Sequence, residues 1–212
     1  MKNILIFGGS SDIGQEIIKV LDQRNIIATY NKNRPANNLA KLLKCDLTKK
    51  ADIDKVYNSI ETLDEVIFSS MPEILNEIND FQGFEYANEL LKGHIYALTR
   101  SMEKLNAGGK IITMSGQSAD NGLPAAPFMA ANMAYMNNLA KSNNAFNKIK
   151  MCDFQLGPVD TKMWDRVSEE KKDLYGRDNF IKPEIIANYI KTILDQEIMP
   201  TKIILDGYYS LK

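Results

Sequence analysis

Seven short apolar runs recur along this chain of 212 residues, and the segments between them mostly carry a helical pattern. The runs are Ile4–Phe7, Ile26–Thr29, Leu42–Cys45, Val66–Phe68, Ile111–Met114, Ile149–Phe154 and Ile203–Leu205. Each has the length of one strand, and a continuous apolar run without alternation is typical of a strand that is buried on both faces of a parallel sheet. The pattern therefore predicts a parallel sheet with helices on each side.

Helical spacing of apolar residues is clearest in two of the intervening segments. Asp12–Gln23 has them three and four positions apart, and Phe84–Leu105 repeats the pattern over more turns. Pro183 directly before Glu184–Gln196 is typical of a helix start. Alternation of strand and helix predicts a single doubly wound α/β domain over residues 1–212, in which ligands bind at the carboxyl ends of the strands.

Charge and cysteine content narrow the class of partner. The 26 Lys and Arg residues nearly balance 27 Asp and Glu, without the broad basic field expected when the main partner is nucleic acid or an anionic membrane. Cys45 and Cys152 lie in apolar runs and outside any Cys/His cluster, which predicts buried, reduced thiols and no metal site. We see neither a secretory signal nor a membrane-spanning apolar stretch, so we expect a cytoplasmic protein with a small-molecule partner.

A glycine-rich turn, Gly8-Gly9-Ser10-Ser11-Asp12-Ile13-Gly14, follows the first predicted strand and opens the first predicted helix. Glycine permits positive φ and a close approach of phosphate to the backbone, while the helix N-terminus offers free N–H groups. The turn therefore predicts a phosphate-binding site. A tight strand-to-helix turn without a ligand is the alternative.

The same turn resembles the Thr-Gly-x-x-x-Gly-Ile-Gly loop of the short-chain dehydrogenase/reductase (SDR) family, with Phe7 in the place of the threonine and Asp12 in that of the middle glycine. Other segments resemble further family motifs in the same order: Cys45–Thr48, Leu91–Gly93, Gly108–Ser115, Leu156–Thr161 and Leu205–Gly207. The resemblance extends over residues 2–210. It implies a Rossmann-type fold of about seven strands, NAD(P)-dependent chemistry on a carbonyl or alcohol substrate, and a homodimer or homotetramer.

The resemblance also implies which residues contact the dinucleotide. They are Gly8, Ser10, Ser11, Ile13, Gly14, Asn31, Lys32, Asp46, Leu47, Ser69, Val159 and Thr161. In this fold an acidic residue after the second strand binds the 2′-hydroxyl of NAD, whereas a cation accommodates the 2′-phosphate of NADP. The segment Thr29–Arg34 has no acid and two cations, which favours NADP over NAD unless both cations simply face water.

The catalytic positions depart from the family pattern. SDR proteins act through a Ser, a Tyr-x-x-x-Lys pair and often an Asn, where this chain has Ser115, Phe128, Asn132 and Leu90. Phenylalanine has no titratable proton, and the loss of a positioned general acid or base typically costs about 10²–10⁴ in rate. Ser115 and the single histidine, His94, are the candidate catalytic residues. The alternatives are a packed histidine on a buried helix and a strand-end serine without a catalytic role.

Three functions remain open at this point. The retained glycine turn favours an SDR-type NAD(P)-dependent oxidoreductase with an altered active site and an unknown carbonyl or alcohol substrate. The joint replacement of three catalytic side chains favours instead a catalytically silent protein that binds a dinucleotide or a partner. A lyase or isomerase that reuses the cleft is the third.

Two further segments have assignments of their own. Residues 161–182 follow a strand's carboxyl end and are predicted to form a lid over the substrate, or else a solvated helical excursion. Met129, Met133 and Met136 are predicted to lie at a subunit interface, with a buried core or an apolar wall of the substrate or cofactor site as the alternatives. The asparagines between residues 137 and 147 are predicted to form a solvated helix face and end.

Overall fold

A computed structural model describes residues 1–70, 77–123, 126–146, 148–166, 169 and 180–206. Its strands are β1 (Asn3–Phe7), β2 (Asn25–Tyr30), β3 (Lys41–Lys44), β4 (Leu63–Phe68), β5 (Leu105–Gly116), β6 (Lys150–Leu156) and β7 (Lys202–Leu205). Its helices are α1 (Asp12–Val20), α2 (Lys50–Asn58), α3 (Phe81–Lys104), α4 (Ser118–Asn121), α5 (Pro127–Phe146) and α6 (Pro183–Asp195). A 3-10 turn spans Lys162–Arg166.

These strands form one parallel sheet in the order β3-β2-β1-β4-β5-β6-β7. The predicted doubly wound α/β fold is confirmed, because seven strands pair in parallel and helices lie on both faces. The order of the strands reverses between β1 and β4. A crevice opens at such a reversal, because the connections leave the two neighbouring strands in opposite directions.

Each face of the sheet has its own apolar core. On one face α1 and α6 pack against the sheet, with Ile17 and Ile190 among the fully buried residues. On the other face α2, α3 and α5 pack, with Tyr57 and Ala97 fully buried. Side chains of successive strand residues alternate between these two cores, which explains why the strands lack polar alternation in the sequence.

Cys45 and Cys152 are both buried and free, as predicted. Burial raises the pKa of each thiol to about 12, so both are neutral near pH 7. Among the described residues there is no cluster of three or more His, Cys, Asp or Glu that could hold a metal ion. Within the same residues no helix has both the length and the apolar character needed to cross a membrane.

The amino edge of the sheet, opposite the crevice, is held by ion pairs. Glu65 of β4 is almost fully buried and contacts Arg24 Nε at 2.6 Å and Lys2 Nζ at 2.8 Å. Arg24 also contacts Asp195 at the end of α6, 2.6 Å away. These pairs connect strand and helix ends on the side of the molecule that lies away from the candidate site.

The expectation of a solvated asparagine face and end on α5 is wrong for Asn137, Asn143 and Asn144, whereas Asn138 is exposed as expected. Asn137 is buried, and Asn144 pairs with the backbone of β6. Its Nδ2 donates to the carbonyl of Met151 at 2.7 Å, and its Oδ1 accepts from the N–H of Met151 at 2.8 Å. The amides fasten α5 to the sheet, because they satisfy polar groups that packing would otherwise bury unpaired. Asn147 lies outside the described residues.

The methionines of α5 also differ from expectation. Met133 and Met136 are buried within the chain itself, so they are not available for a subunit interface. Met129 is partly buried and faces the same side as Met133, toward the crevice described below.

Candidate functional site

The turn between β1 and α1 is held together by its own serine. Ser11 Oγ donates to the carbonyl of Gly8 at 2.9 Å and accepts from the N–H of Gly14 at 2.9 Å, which caps α1. Gly8 has a φ of +81°, a conformation that favours glycine. The first N–H groups of a helix have no partner within it, and residues 10–13 line the adjoining cavity. This end of α1 is therefore suited to an anion.

Two adjoining cavities form a crevice at the carboxyl edge of the sheet. The larger, of about 680 Å³, lies between α1, the ends of β5 and β6 and the first half of α5. The smaller, of about 260 Å³, lies at the ends of β2, β3 and β4. Ser10, Ser11 and Ser69 line both cavities. The crevice therefore lies where the strand order reverses, which is the usual ligand position in an open α/β sheet.

Most residues predicted to contact a dinucleotide lie in the walls of this crevice. They are Gly8, Ser10, Ser11, Ile13, Asn31, Asp46, Leu47, Ser69, Val159 and Thr161. The predicted adenine contacts, Asp46 and Leu47, line the smaller cavity, and the predicted nicotinamide contacts, Val159 and Thr161, line the larger. Gly14 is buried beneath the turn.

The residues of the crevice wall near the turn are small and closely packed, and this allows a dinucleotide to fit. A Cβ on Gly8 would lie 2.7 Å from the backbone nitrogen of Ser70, and a Cβ on Gly14 would overlap the carbonyl of Gly8. Ser69 Oγ donates to the carbonyl of Phe7 at 2.9 Å, so this side chain does not extend into the space above the turn. A pyrophosphate needs such a close approach to backbone N–H groups.

The end of β2 lies beside the smaller cavity and carries positive charge. Asn31 lines that cavity, whereas Lys32 and Arg34 are exposed next to it and belong to neither wall. Both are long cationic side chains that follow Asn31 closely along the chain.

Asp46 shapes the loop after β3. Its Oδ1 accepts from the N–H and the hydroxyl of Thr48, at 3.0 Å and 2.8 Å, and its own N–H donates to Asp52 at 3.2 Å. The loop is thus held in a local turn, and the carboxyl group stays in the cavity wall with its second oxygen, Oδ2, 3.8 Å from Lys49 Nζ.

Ser115 lies in the wall of the larger cavity, and Asp153 of β6 holds its hydroxyl from behind. Ser115 Oγ donates to Asp153 Oδ2 at 2.5 Å. Thr113 Oγ1 donates to Oδ1 of the same carboxyl at 2.8 Å, and Asn137 Nδ2 donates to Oδ2 at 3.1 Å. Asp153 is fully buried, and burial raises its pKa although the three donors act to lower it.

Sequence reasoning missed Asp153. The signal that could have found it is an acid in the middle of an apolar run, Ile149–Phe154, that is predicted to be buried on both faces. Such a residue needs hydrogen-bond partners from neighbouring elements, and the structure supplies them from β5 and α5.

Phe128 and Asn132, which align with the family's tyrosine and lysine, contact α3 and line neither cavity. The Phe128 ring packs edge-on against Phe84 with centroids 5.4 Å apart, and Asn132 Nδ2 donates to a backbone carbonyl of α3 at 2.8 Å. One residue further along, Met129 and Met133 line the larger cavity. Because methionine has no titratable group, α5 presents an apolar wall where the family pattern would place an acid and a cation.

His94 is buried in α3, and each of its ring nitrogens lies within hydrogen-bond distance of a neighbouring oxygen. Nδ1 lies 2.9 Å from the carbonyl of Leu90, and Nε2 lies 2.8 Å from the carbonyl and 3.3 Å from the hydroxyl of Ser70. Burial lowers the pKa of the ring, and it lines neither cavity. This geometry agrees with the alternative to a catalytic role, a packed histidine on a buried helix. The side chain connects α3 to the end of β4.

Part of the predicted lid, residues 161–182, lies outside the described residues. Its first turn rests on α1, because the N–H of Lys162 donates to Asp12 Oδ2 at 2.8 Å. The ring of Trp164 packs against Phe180 with centroids 4.6 Å apart. The described start of this segment, residues 161–163, borders the larger cavity.

Comparison with solved structures identifies the class of fold. The chain is similar to a short-chain dehydrogenase family protein from Francisella tularensis subsp. tularensis, with 20% identity over 100% of both chains and a TM-score of 0.85. It is also similar to a short-chain dehydrogenase/reductase from Serratia marcescens, with 19% identity over 99% of this chain and 98% of that one and a TM-score of 0.84.

A third similar structure is BdcA in complex with NADPH, with 19% identity over 97% of this chain and 93% of that one and a TM-score of 0.81. No protein-family model and no curated protein sequence matches the chain. The fold is that of the short-chain dehydrogenase/reductases, which confirms the resemblance seen in the sequence motifs at the level of fold.

Proposed function

We propose that the protein is an oxidoreductase of the SDR family that uses NADP, with NAD as the weaker cofactor, on a small carbonyl or alcohol compound. The observation that carries this proposal is the crevice, because the glycine turn, the capped end of α1 and ten of the twelve predicted contact residues line its two adjoining cavities. The fold supports it, and BdcA is a protein of the same fold that binds NADPH.

In this proposal residues 8–14 hold the pyrophosphate, Asp46 and Leu47 the adenine, and Val159 and Thr161 the nicotinamide. Lys32 and Arg34 supply charge for the 2′-phosphate that distinguishes NADP from NAD. The bound cofactor provides or accepts a hydride, and the protein contributes orientation and electrostatics.

The chain's own side chains shape the substrate end of the crevice. Met114, Met129 and Met133 form an apolar wall that favours a substrate with an apolar body. Ser115 lines the same cavity and offers a polar contact. The proposal includes a single domain over residues 1–212, a lid at about 161–182 and a homodimer or homotetramer in the cytoplasm.

The second candidate is a catalytically silent protein that binds a dinucleotide or a protein partner. Three observations favour it: Phe128 and Asn132 are engaged with α3, the α5 wall of the cavity is methionine, and both nitrogens of His94 are occupied. The two candidates share the crevice and differ in whether hydride leaves the cofactor.

Calorimetric titration with NADPH, NADH and their oxidised forms, followed by a carbonyl and alcohol screen, separates the two candidates. We expect micromolar NADPH binding, weaker NADH binding and oxidation of NADPH by at least one carbonyl compound. Binding without turnover on any compound would favour the silent candidate. Absence of binding to all four forms would overturn both dinucleotide proposals and direct the search to protein partners.

A further inference from the structure

Asp153 is a buried acid without a cationic partner among its hydrogen bonds. Acidic residues are rarely buried unless they are paired. Glu65, the other acid that is almost fully buried in the described part of the chain, contacts both Arg24 and Lys2. Asp153 instead accepts from two hydroxyls and one amide, all of them neutral. A carboxyl group in such a place can gain a proton without breaking an ion pair.

The proton on Asp153 decides what Ser115 offers to the cavity. When the carboxyl is ionised, it accepts the Ser115 hydroxyl proton across 2.5 Å, and Ser115 presents only lone pairs to a ligand. When the carboxyl is protonated, it can donate to Ser115 Oγ, which frees the serine proton for a ligand oxygen. Ser115 is therefore an acceptor or a donor for the ligand according to the protonation of a residue behind it.

We propose that Asp153 and Ser115 form a proton relay between the buried carboxyl and an oxygen of the substrate in the larger cavity. Ser115 contacts the substrate, and Asp153 is a positioning residue that acts through it. This inference rests on the proposed function, since it supplies the proton for the reaction proposed above. The relay supplies an acid to the larger cavity, whose α5 wall consists of methionine and has no titratable group.

The relay balances in both directions. In reduction, the carbonyl oxygen takes the Ser115 proton, Ser115 takes the proton of the Asp153 carboxyl, and the carbon receives a hydride from the reduced nicotinamide dinucleotide. The products are the alcohol, the oxidised dinucleotide and an Asp153 carboxylate, which regains a proton from water. In oxidation, the alcohol proton passes to Ser115, the serine proton passes to Asp153, and the hydride leaves for the oxidised dinucleotide.

One charged group near Asp153 acts on its pKa without being a hydrogen-bond partner. On β7, Lys202 lies beside Asp153 in the sheet, and its charge acts to lower the pKa of that carboxyl, although burial still raises it and the ammonium contacts Asp120 of α4 at 2.7 Å. On α5 the nearest partner is the neutral Asn137, and the helix's single charged residue, Lys141, is exposed. On β5 the partners are the two hydroxyls of Thr113 and Ser115. On β6 itself, the neighbouring Cys152 thiol has its pKa raised to about 12 and stays neutral.

The first measurement needs neither cofactor nor turnover. Infrared difference titration of the wild-type protein against Asp153→Asn isolates the carboxyl stretch of Asp153. We expect a group that titrates above the ordinary aspartate range, and a further rise of its pKa in Ser115→Ala, because that variant removes a donor to the carboxylate. A carboxyl that stays ionised from pH 4 to 9, or a pKa unaffected by Ser115→Ala, would overturn the relay.

The second measurement is the pH profile of turnover. We expect reduction to slow as pH rises through the pKa of Asp153 and oxidation to slow as pH falls through it. Asp153→Asn should abolish both limbs of the pH profile, the slower reduction at high pH and the slower oxidation at low pH. It should also lower kcat at least about 100-fold and leave the NADPH Kd within about twofold of wild type. Thr113→Val should move both limbs to higher pH, because it removes a donor to Oδ1 and keeps Ser115. A purely structural role would produce no opposed limbs.

Ser101→Ala is the matched control for Ser115→Ala. Ser101 is a fully buried serine whose hydroxyl donates to the carbonyl of Ala97, away from the crevice, so kcat should be unchanged. If Asp153→Asn binds and oxidises NADPH with both limbs intact, the relay is wrong and the proposed function stands. If wild type binds no dinucleotide, both fall. Should Asp153→Asn fail to fold, the wild-type and Ser115→Ala titrations and pH profiles decide.

Discussion

At the scale of single residues, the glycine turn depends on one missing methyl group at Gly14. A Cβ there would overlap the carbonyl of Gly8 and lie 2.9 Å from the Cα of Gly9. Gly14→Ala should therefore lower the free energy of unfolding by about 1–3 kcal/mol, as overpacking does. It should also weaken NADPH binding at least about tenfold, because the turn must open. Urea unfolding and calorimetry measure the two effects.

Gly108→Ala is the control for this substitution. Gly108 has a φ of +81° but no atom within 4 Å of an added Cβ, and it lies in β5 away from the turn. Alanine there should cost about 1–2 kcal/mol of conformational strain and leave the NADPH Kd unchanged. Equal loss of NADPH affinity in both variants would show that affinity follows stability and that the turn has no specific part in binding.

The choice between NADP and NAD is predicted to depend on Lys32 and Arg34. The double substitution Lys32→Ala/Arg34→Ala should raise the NADPH Kd about tenfold, which is about 1.4 kcal/mol, and leave the NADH Kd within about twofold. The reason is that only NADPH carries the 2′-phosphate. Lys19→Ala, which removes an exposed cation of α1 that pairs with Glu16, should change neither Kd. A parallel rise for NADH would contradict the assignment.

The sequence predicts residues well where one residue type serves one geometric need. The glycine turn was found because a tight strand-to-helix turn with a positive φ favours glycine, as at Gly8. Asp153 was not found, because its role depends on β5 and α5, which lie near it only in the folded chain. For Met129 and Met133 a subunit interface was the prediction and a cavity wall an alternative, because a helix rotates by about 100° per residue and the sequence does not fix which face meets the cavity.

At the scale of elements, the start of the predicted lid is joined to α1 by one hydrogen bond. Asp12 accepts from the N–H of Lys162 at 2.8 Å, and the two charges lie 3.9 Å apart in an exposed position. Asp12→Ala should loosen this junction and speed tryptic cleavage after Lys162 about fivefold, which corresponds to the loss of about 1 kcal/mol. Mass spectrometry of timed digests identifies the site.

Asp12→Asn is the control for that experiment, because asparagine keeps an acceptor oxygen and removes the charge. It should retain the slow cleavage and bind NADPH more tightly than Asp12→Ala, since neither variant has a carboxylate beside the phosphate site and only asparagine keeps the junction formed. If both variants are cleaved at the wild-type rate, the hydrogen bond does not control the opening of this segment.

The elements themselves follow closely from the apolar pattern, and their ends do not. β5 begins at Leu105, several residues before the predicted Ile111, because Leu105 pairs with Leu63 ahead of an irregularity in the register. α1 ends at Val20 rather than Gln23, where the chain must turn to enter β2. Contacts with neighbouring elements decide where an element ends, and the apolar pattern of a single segment does not contain that information.

At the scale of the whole molecule, the two edges of the sheet have different duties. The amino edge contains the buried ion pairs of Glu65 and Arg24, and the carboxyl edge contains the crevice. Substitutions at the amino edge can therefore change the free energy of unfolding without touching the crevice. His94 also contributes to stability away from the crevice, because it is buried and joins α3 to the end of β4, and it lines neither of the two cavities.

The stability of the whole protein should depend on pH through His94. Burial lowers the pKa of His94 in the folded protein below its ordinary value of 6.5, so between these two values the unfolded chain binds more protons and stability falls as pH falls. The loss is at most about 1.4 kcal/mol per pH unit. His94→Gln should be less stable than wild type at pH 7.5, because it loses packing and hydrogen bonds, but should lose less stability between pH 7.5 and 5.5. Urea unfolding of both proteins at the two pH values measures this.

The carboxyl of Asp153, whose raised pKa acts in the opposite direction, is common to both proteins and cancels in the comparison. An equal loss in the two proteins would mean that the buried ring of His94 takes up its proton as readily as it does in the unfolded chain.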